Sequence, residues 1–555
     1  MNATDFRCAA SAFRVAAREI AMKRRVLSRA VLSVLAALMT VSDLPAADLP
    51  AADLPAANLK QSSARQAGRT LLFVDDHEVL YRSGTRRVPH AAQRHAGNPV
   101  LTGPTEHSQV GYCSVYRDDA TGRYQMWYQL YAAGGQVCYA ESDDGLNWKK
   151  PALDLITRKG ITDRNIVLTS PEHYGASVVV ARDGDNPQRR YRMAYWSIPP
   201  LDGPPLSPRD DRGPDGGMFV AFSPDGIHWE KQPGPVLRGA YGRAQAPPLT
   251  TEKYPWGDPR SVSDVLDVTF DPLCGKYVVH AKAWMDGPDG RLFWKRAIAR
   301  TESEDFLSWS EPQLIMAPDE FDGARPAAYP GTRVGVQLHG APFFVRHGVY
   351  FSLVQVADFE THGLQPIELA ISRDGRNWLR PFRSAPFIAT GELDTFEAGR
   401  IWSNATPVVL ADEIRFYYGA YEHPWQFGKA GYPWGSKKRV PRCGIGMAAL
   451  PLDRFAGIRP LESNGQVTLR PRSFKGVKEI SINAAASEGT ILVELLNASG
   501  RGLPGFTRSE AVPVTGDHLR QRVAWKAADL SALPDEDIVI RIHLHQSELF
   551  ALTLE

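Results

Sequence analysis

Between residues 109 and 458 apolar and polar side chains alternate in short runs, the two-residue period of half-buried strands rather than the 3.6-residue period of helices. Four of these runs, VCYAES, MFVAFS, RAIARTES and IELAIS, lead into a serine, a tight turn containing aspartate, and a tryptophan that opens another extended segment. The resulting stretches are ESDDGLNWKKP (Glu141 to Pro151), SPDGIHWEKQP (Ser223 to Pro233), SEDFLSWSEP (Ser303 to Pro312) and SRDGRNWLRP (Ser372 to Pro381). Each predicts a hairpin. The tryptophans, Trp148, Trp229, Trp309 and Trp378, are about 70 to 80 residues apart, and GIGMAALPLDRF ends in Phe455 where a fifth would fall.

A second pair of strands lies between copies. GYCSVYRDDATGRYQMWYQLY, from Gly111, is an alternating run, a polar turn and an aromatic run, and it recurs from Ala176, Asp264, Gly340 and Ala405. Each unit thus holds four antiparallel strands, A to D, with no convincing amphipathic helix. Five such units predict an all-β chain whose main part, residues 70 to 460, is a five-bladed β-propeller. A large irregular sandwich would give no reason for five matched units. From 464 to 555 the pattern changes to short strands without the tryptophan repeat, and this predicts a C-terminal β-sandwich of about 90 residues, a size that folds alone.

Residues 1 to 58 read as addressing and linker. Met22-Lys-Arg-Arg is a basic segment, Ala30 to Val41 an apolar run, and Ala46-Ala47 a small-residue cleavage zone, the order of a signal peptide starting at Met22. Export to the periplasm or the exterior is therefore expected. The apolar run is short for a bilayer span, so no stable membrane span is expected, and three DLPAA copies after it are low-complexity linker.

The 555 residues are 43% hydrophobic and 10% aromatic, ample for a core, and the net charge of +2 with no basic run beyond the leader argues against nucleic acid as a partner. Cys113, Cys138, Cys274 and Cys443 stand singly, without CxxC or CxxH spacing, and read as buried small hydrophobes; Cys8 lies ahead of the mature chain.

Strand direction locates the chemistry. If strand A runs down, the D-to-A and B-to-C connections share one face and the Ser-x-Asp turns lie on the other, where their Asp and Trp serve turn formation and packing. Five starts of strand A converge on the axis. They carry Glu106 before blade 1, Glu172 and His173 before blade 2, Asp264 at blade 3, His339 before blade 4, and Glu397 with Asp394 before blade 5. A lone carboxylate in a loop is by default a solvated charge, but a ring of them would split pKa values as acid/base chemistry requires. Long Gly/Pro-rich loops on that face contain Trp256, Trp425 and Trp434, which either anchor the loops or wall a cleft suited to sugar rings.

The five-blade plan, the Asn98 to Leu101 segment and the Ser-x-Asp-Gly-x-x-Trp hairpins resemble the five-bladed propeller glycoside hydrolases of the group containing families 32, 43 and 130. LLFVDDHEVL (Leu71 to Leu80), GRYQMWYQ and the closing sandwich are more narrowly similar to secreted bacterial family 32-like proteins, over roughly residues 70 to 555. The resemblance implies Glu106 as base or nucleophile, Asp264 as stabiliser and Glu397 as general acid. Glu106 stands where the group has Asp, and the Trp-Met-Asn-Asp-Pro-Asn, Arg-Asp-Pro and Glu-Cys signatures of family 32 are absent, so a fructose-specific activity is not implied.

Three readings remain open: a secreted glycoside hydrolase acting on an oligo- or polysaccharide, a non-catalytic glycan-binding propeller, and a phosphate-dependent phosphorylase using Arg333, His339 and Arg400. No cofactor is expected. A calcium ion in the axial channel is compatible with the sequence but no run of oxygen ligands requires one.

Overall fold

The computed structural model describes residues 68–103, 108–131, 135–170, 172–181, 186–198, 217–238, 262–285, 295–322, 335–359, 363–383, 385–403, 407–425 and 441–555. Their helical segments are three-residue 3-10 turns, and no helix among them is long and apolar enough to cross a membrane. The chain is all-β.

Five antiparallel meander sheets form a five-bladed propeller. Blade 1 is Gln109–Arg117, Tyr124–Tyr131, Gly135–Ser142 and Ile166–Ser170, and blade 3 is Leu266–Asp271, Lys276–Met285, Lys295–Ser303 and Gln313–Met316. Blade 2 has Glu172–Val180, Tyr191–Ile198 and Gly217–Ser223, with its outermost strand split into Glu230–Lys231 and Leu237–Arg238. Blade 4 starts with an interrupted inner strand, Val336–Leu338 then Phe343–Arg346, followed by Val349–Asp358, Ile367–Ser372 and Trp378–Leu379. In blade 5, Arg400–Ser403 and Val408–Val409 precede Glu413–Tyr421 and Cys443–Pro451.

The fourth strand of blade 5 comes from the other end of the propeller. Gln93 and Arg94 pair with Ala449 and Ala448, and Leu101 bridges Ile445. Asn98 exchanges two hydrogen bonds with Met447, accepting from its N–H at 2.9 Å and donating to its carbonyl at 3.0 Å. The ring is closed by chain termini of the propeller pairing in one sheet.

The Ser-x-Asp turns have one construction. In blade 1 the Ser142 hydroxyl donates to Asp144 and accepts from the Gly145 N–H, while Asp144 accepts from the N–H groups of Leu146 and Asn147. Ser223/Asp225, Ser303/Asp305 and Ser372/Asp374 repeat it. The third residue after each serine is left-handed, with φ of 74° at Gly145, 80° at Gly226 and 69° at Gly375; in blade 3 the same place is held by Phe306 at 69°. Glycine takes that conformation without cost, a side chain does not.

These turns dock each blade on the one before. Gly145 accepts from the Tyr417 phenol at 2.9 Å, Gly226 from the Trp127 indole at 2.6 Å and Gly375 from Arg300 at 3.2 Å. Phe306 meets Phe222 of blade 2 at 5.9 Å, and Phe455, at the fifth position, stacks on Phe351 of blade 4 at 4.2 Å. The reading of Trp and Asp as packing and turn residues thus extends to contacts between blades. Each such hydrogen bond stabilises by about 1 kcal/mol, whereas a fully buried Val, Leu, Ile or Phe contributes about 1.5–3 kcal/mol. Apolar faces such as the cluster of Phe344, Phe351, Leu369, Phe387, Ile401, Phe416 and Phe455 between blades 4 and 5 therefore hold the ring, and the turns set its register.

The C-terminal sheets form a ten-stranded assembly consistent with a β-sandwich, with a core of its own around Phe73, Val467, Ile482, Leu495, Ile540 and Leu552. Its membership differs from the boundary expected at 464. Arg69–Leu72 pairs with Glu548–Leu554, Val79–Ser83 with Asn464–Leu469, and Thr85–Pro89 with Ala456–Pro460. Strands from both ends of the chain build this unit because a two-residue alternation fixes which face is buried but not which distant edge is paired. It sits against blades 4 and 5, where Arg373 and Asp75 form an ion pair at 2.6 Å. Of the four described cysteines, all free, Cys113 and Cys138 are buried as expected, but Cys274 is exposed on a turn with its sulfur 3.1 Å from Asp271.

Candidate active site

Inner strands of several blades and the adjoining ends of their neighbours bring one connected group of side chains to the axial mouth. Tyr112, Val265, Trp402 and Tyr421 form a buried cluster with Tyr131 and Trp425 packed against it. The Tyr112 hydroxyl lies 3.5 Å from Nε2 of His339, whose ring is 5.1 Å from Trp425 and 6.3 Å from Trp402. Trp425 is anchored by its backbone N–H to Gly363 and by its indole N–H to Gln365, and still presents its ring to the site. The anchoring role expected of a loop tryptophan is thus present.

Cations surround this group. Arg400 opens the inner strand of blade 5, its Nε donating to the His423 carbonyl at 2.7 Å, and its guanidinium lies 4.5 Å from the Trp425 ring centre, 5.0 Å from Trp402 and 5.4 Å from Tyr421. Burial lowers its pKa to about 10, opposed in part by the phenols of Tyr421, Tyr112 and Tyr131. Arg296 packs over Trp425, Trp284 and Phe359 at 4.9, 5.3 and 5.3 Å.

Asp264 enters just before the inner strand of blade 3, and is paired with the buried ammonium of Lys282 on the adjacent strand while accepting from the Ser263 hydroxyl. Burial pushes its pKa up, but the charge and hydrogen bond of Lys282, with Arg296 and Ser263 adding, hold it below the usual carboxylate range. It is ionised at neutral pH. Asp267, on the inner strand that follows, is the reverse case: it is 2% exposed, neither carboxyl oxygen has a hydrogen-bond partner among the described residues, and burial alone drives its pKa far up. Its charge is felt by Cys113 of blade 1. The two aspartates thus shift in opposite directions, Asp264 down and Asp267 up.

The predicted residues separate accordingly. Asp264, His339, Arg400 and Trp425 are in or linked to the axial group. Glu172 and His173 open the inner strand of blade 2, opposite Ile198 and Ser197, and Gly175 of that strand lies against the Asp264 backbone. Glu106, Trp256, Trp434 and Arg333 lie outside the described residues. Glu397 is placed elsewhere: it accepts from the Tyr418 phenol at 2.6 Å and faces Arg94, on the outermost strand of blade 5, at 3.6 Å. These two partners stand on the second and fourth strands of blade 5. Glu397 does have a raised pKa, caused by burial and opposed by Tyr418 and Arg94, with no neighbouring carboxylate involved. Asp394 is exposed in a turn and pairs with Arg442 at 3.5 Å.

Lys282, Arg296, Tyr112 and Trp402 were not singled out by sequence, though a lysine in VVHAKAW and an arginine in WKRAIA are charges inside apolar strand runs, a legible signal. Among the described residues no group of three or more His, Cys, Asp or Glu side chains converges to hold a metal ion.

No protein-family model matches the chain, and no curated protein matches it. Solved structures do. A glycoside hydrolase aligns over 64% of this chain and 92% of its own at 16% identity and a TM-score of 0.41. A thermostable family-43 glycoside hydrolase aligns over 63% and 91% at 14% identity and a TM-score of 0.39. An N-acetylgalactosamine deacetylase from F. plautii in complex with blood group B trisaccharide aligns over 67% and 96%, also at 14% and 0.39. Likenesses of this size decide nothing about chemistry.

Proposed function

We propose that the protein is an exported glycoside hydrolase that binds an oligo- or polysaccharide at the axial mouth of the propeller and cleaves a glycosidic bond there. The observation that carries this reading is the convergence of Tyr112, Trp402, Tyr421 and Trp425 with the ionised Asp264 at one end of the axis. Flat rings take the C–H faces of sugars, and an ionised carboxylate answers the positive charge of an oxocarbenium-like transition state.

Hydrolysis also needs a proton donor. In this reading Glu172, opening the inner strand next to that of Asp264, takes that role, and Glu106 before blade 1 supplies the base or nucleophile. Burial raises the pKa of Glu397, but its partners are Tyr418 and Arg94. Lys282 keeps Asp264 charged in a partly buried place, where an unpaired carboxyl would take up a proton.

A second reading, a glycan-binding propeller without catalysis, is favoured by the same Lys282–Asp264 pair, which leaves that carboxylate already neutralised. Activity on a glycan panel with reducing sugar as readout separates the two. Release of sugar that is lost in Glu172→Gln supports hydrolysis; retention on a glycan column without release supports binding alone.

A further inference from the structure

Three buried arginines among the described residues are held by carboxylates. Arg300 pairs with Asp271 and Glu302, Arg380 with Glu368 and Asp322, and Arg472 with Glu78. Arg400 departs from this. Its one hydrogen bond among the described residues is from Nε to the His423 carbonyl, and the groups that act on its charge are the phenols of Tyr421, Tyr112 and Tyr131. Among the described residues no carboxylate pairs with this guanidinium, so its desolvation is offset by the ring contacts and the one carbonyl bond alone.

We infer that Arg400 receives an oxyanion of the ligand, and that the glycan bound at the axial mouth is therefore acidic, carrying the carboxylate of a uronic-type sugar. The inference deepens the glycan-binding part of the proposed function and rests on it. Its chemistry is direct. The ring of Trp425 fixes the guanidinium plane from one side, and the Nε bond to His423 fixes its rotation, so the terminal N–H groups form a preset fork. Such a fork matches a carboxylate bidentately, which an ammonium cannot do. Arg296, on Trp425 as well, adds positive potential, while Lys282 is already matched by Asp264. Trp402 and Tyr421 pack behind the fork, and the partly exposed ring of Trp425 is the apolar surface beside it.

Free inorganic phosphate would satisfy the same fork, so the test has an arm for each source. Titration calorimetry on the secreted protein would compare uronate-containing oligosaccharides, in both anomeric linkages, with their carboxyl-reduced neutral counterparts. The expected result is uronate affinity about tenfold or more above neutral, the usual worth of a charge-assisted hydrogen bond. In Arg400→Met that ratio falls toward one, and in Arg400→Lys, which keeps the charge without the fork, it is intermediate; a melting curve of each variant confirms folding. Equal affinities in the wild type overturn the inference, as does a failure of both sugars to bind. A phosphate-induced rise in melting temperature that Arg400→Met abolishes, without uronate preference, assigns the fork to phosphate and also overturns it. Turnover of neutral glycans with a ratio near one removes the inference and leaves the hydrolase; uronate preference without turnover does the opposite.

Discussion

Lys282 and Asp264 form a buried ion pair between adjacent strands of blade 3, and it is this pairing that keeps a carboxylate ionised at the propeller axis. Removing one partner strands the other. Lys282→Met should destabilise the protein by about 3–5 kcal/mol, measured by urea unfolding, and adding Asp264→Asn should restore most of it. Because the pair depresses the folded pKa of Asp264, its contribution is present above the unfolded value near 3.9 and is lost as pH falls through the folded one. The gap between wild type and Lys282→Met should accordingly narrow in acid. A gap that stays constant down to the acid transition would mean that Asp264 is not the partner that matters.

Asp267 makes the opposite prediction. Its folded pKa is raised by burial, so its contribution is full below the unfolded value and declines as pH rises toward the folded one. Asp267→Asn removes the titration and keeps the shape. The variant should gain melting temperature over wild type at pH 8 and lose that advantage by pH 4. An advantage independent of pH would show that the carboxyl titrates normally.

At Phe306 two effects compete. Glycine would relieve a left-handed residue by about 1–2 kcal/mol, but Phe306 packs on Phe222, Tyr277 and Trp309, and truncating a buried Phe costs about 3–5 kcal/mol. Packing wins. Phe306→Gly should lower stability by roughly 1–4 kcal/mol in denaturant unfolding, whereas a neutral or stabilised variant would show that the turn, not the blade contact, dominates.

Glu397→Gln should leave turnover within about threefold, since the residue is held by Tyr418 and Arg94, on the second and fourth strands of blade 5. General acid catalysis is worth about 10²–10⁴-fold. A loss of that size, with the variant folded, would return Glu397 to the site.

The four Ser-x-Asp hairpins made four blades visible because a local turn leaves a local signature, and Phe455 stood in for the fifth. The closing strand did not show: Gln93 and Arg94 are two residues with no pattern, and their partner is more than 350 positions away. The same distance hid the strands that Arg69–Leu72 and Thr85–Pro89 lend to the sandwich. At the site, the starts of inner strands drew attention to Asp264 and His339, which lie beside the ring cluster, while Arg400 was legible as a cation available to phosphate. Glu397, expected at the axis from its order along the chain, has Tyr418 and Arg94 as its partners, and Lys282 and Arg296 come from second and third strands rather than from strand starts.

Sugar release from a glycan panel by wild type, Asp264→Asn and Glu172→Gln tests the central claim most directly. The account predicts release by the wild type and a fall of about 10²–10⁴-fold in Glu172→Gln, the worth of a proton donor, with a comparable loss in Asp264→Asn and glycan binding retained in both. Equal rates in all three folded proteins, or wild-type binding with no release from any glycan, would contradict it.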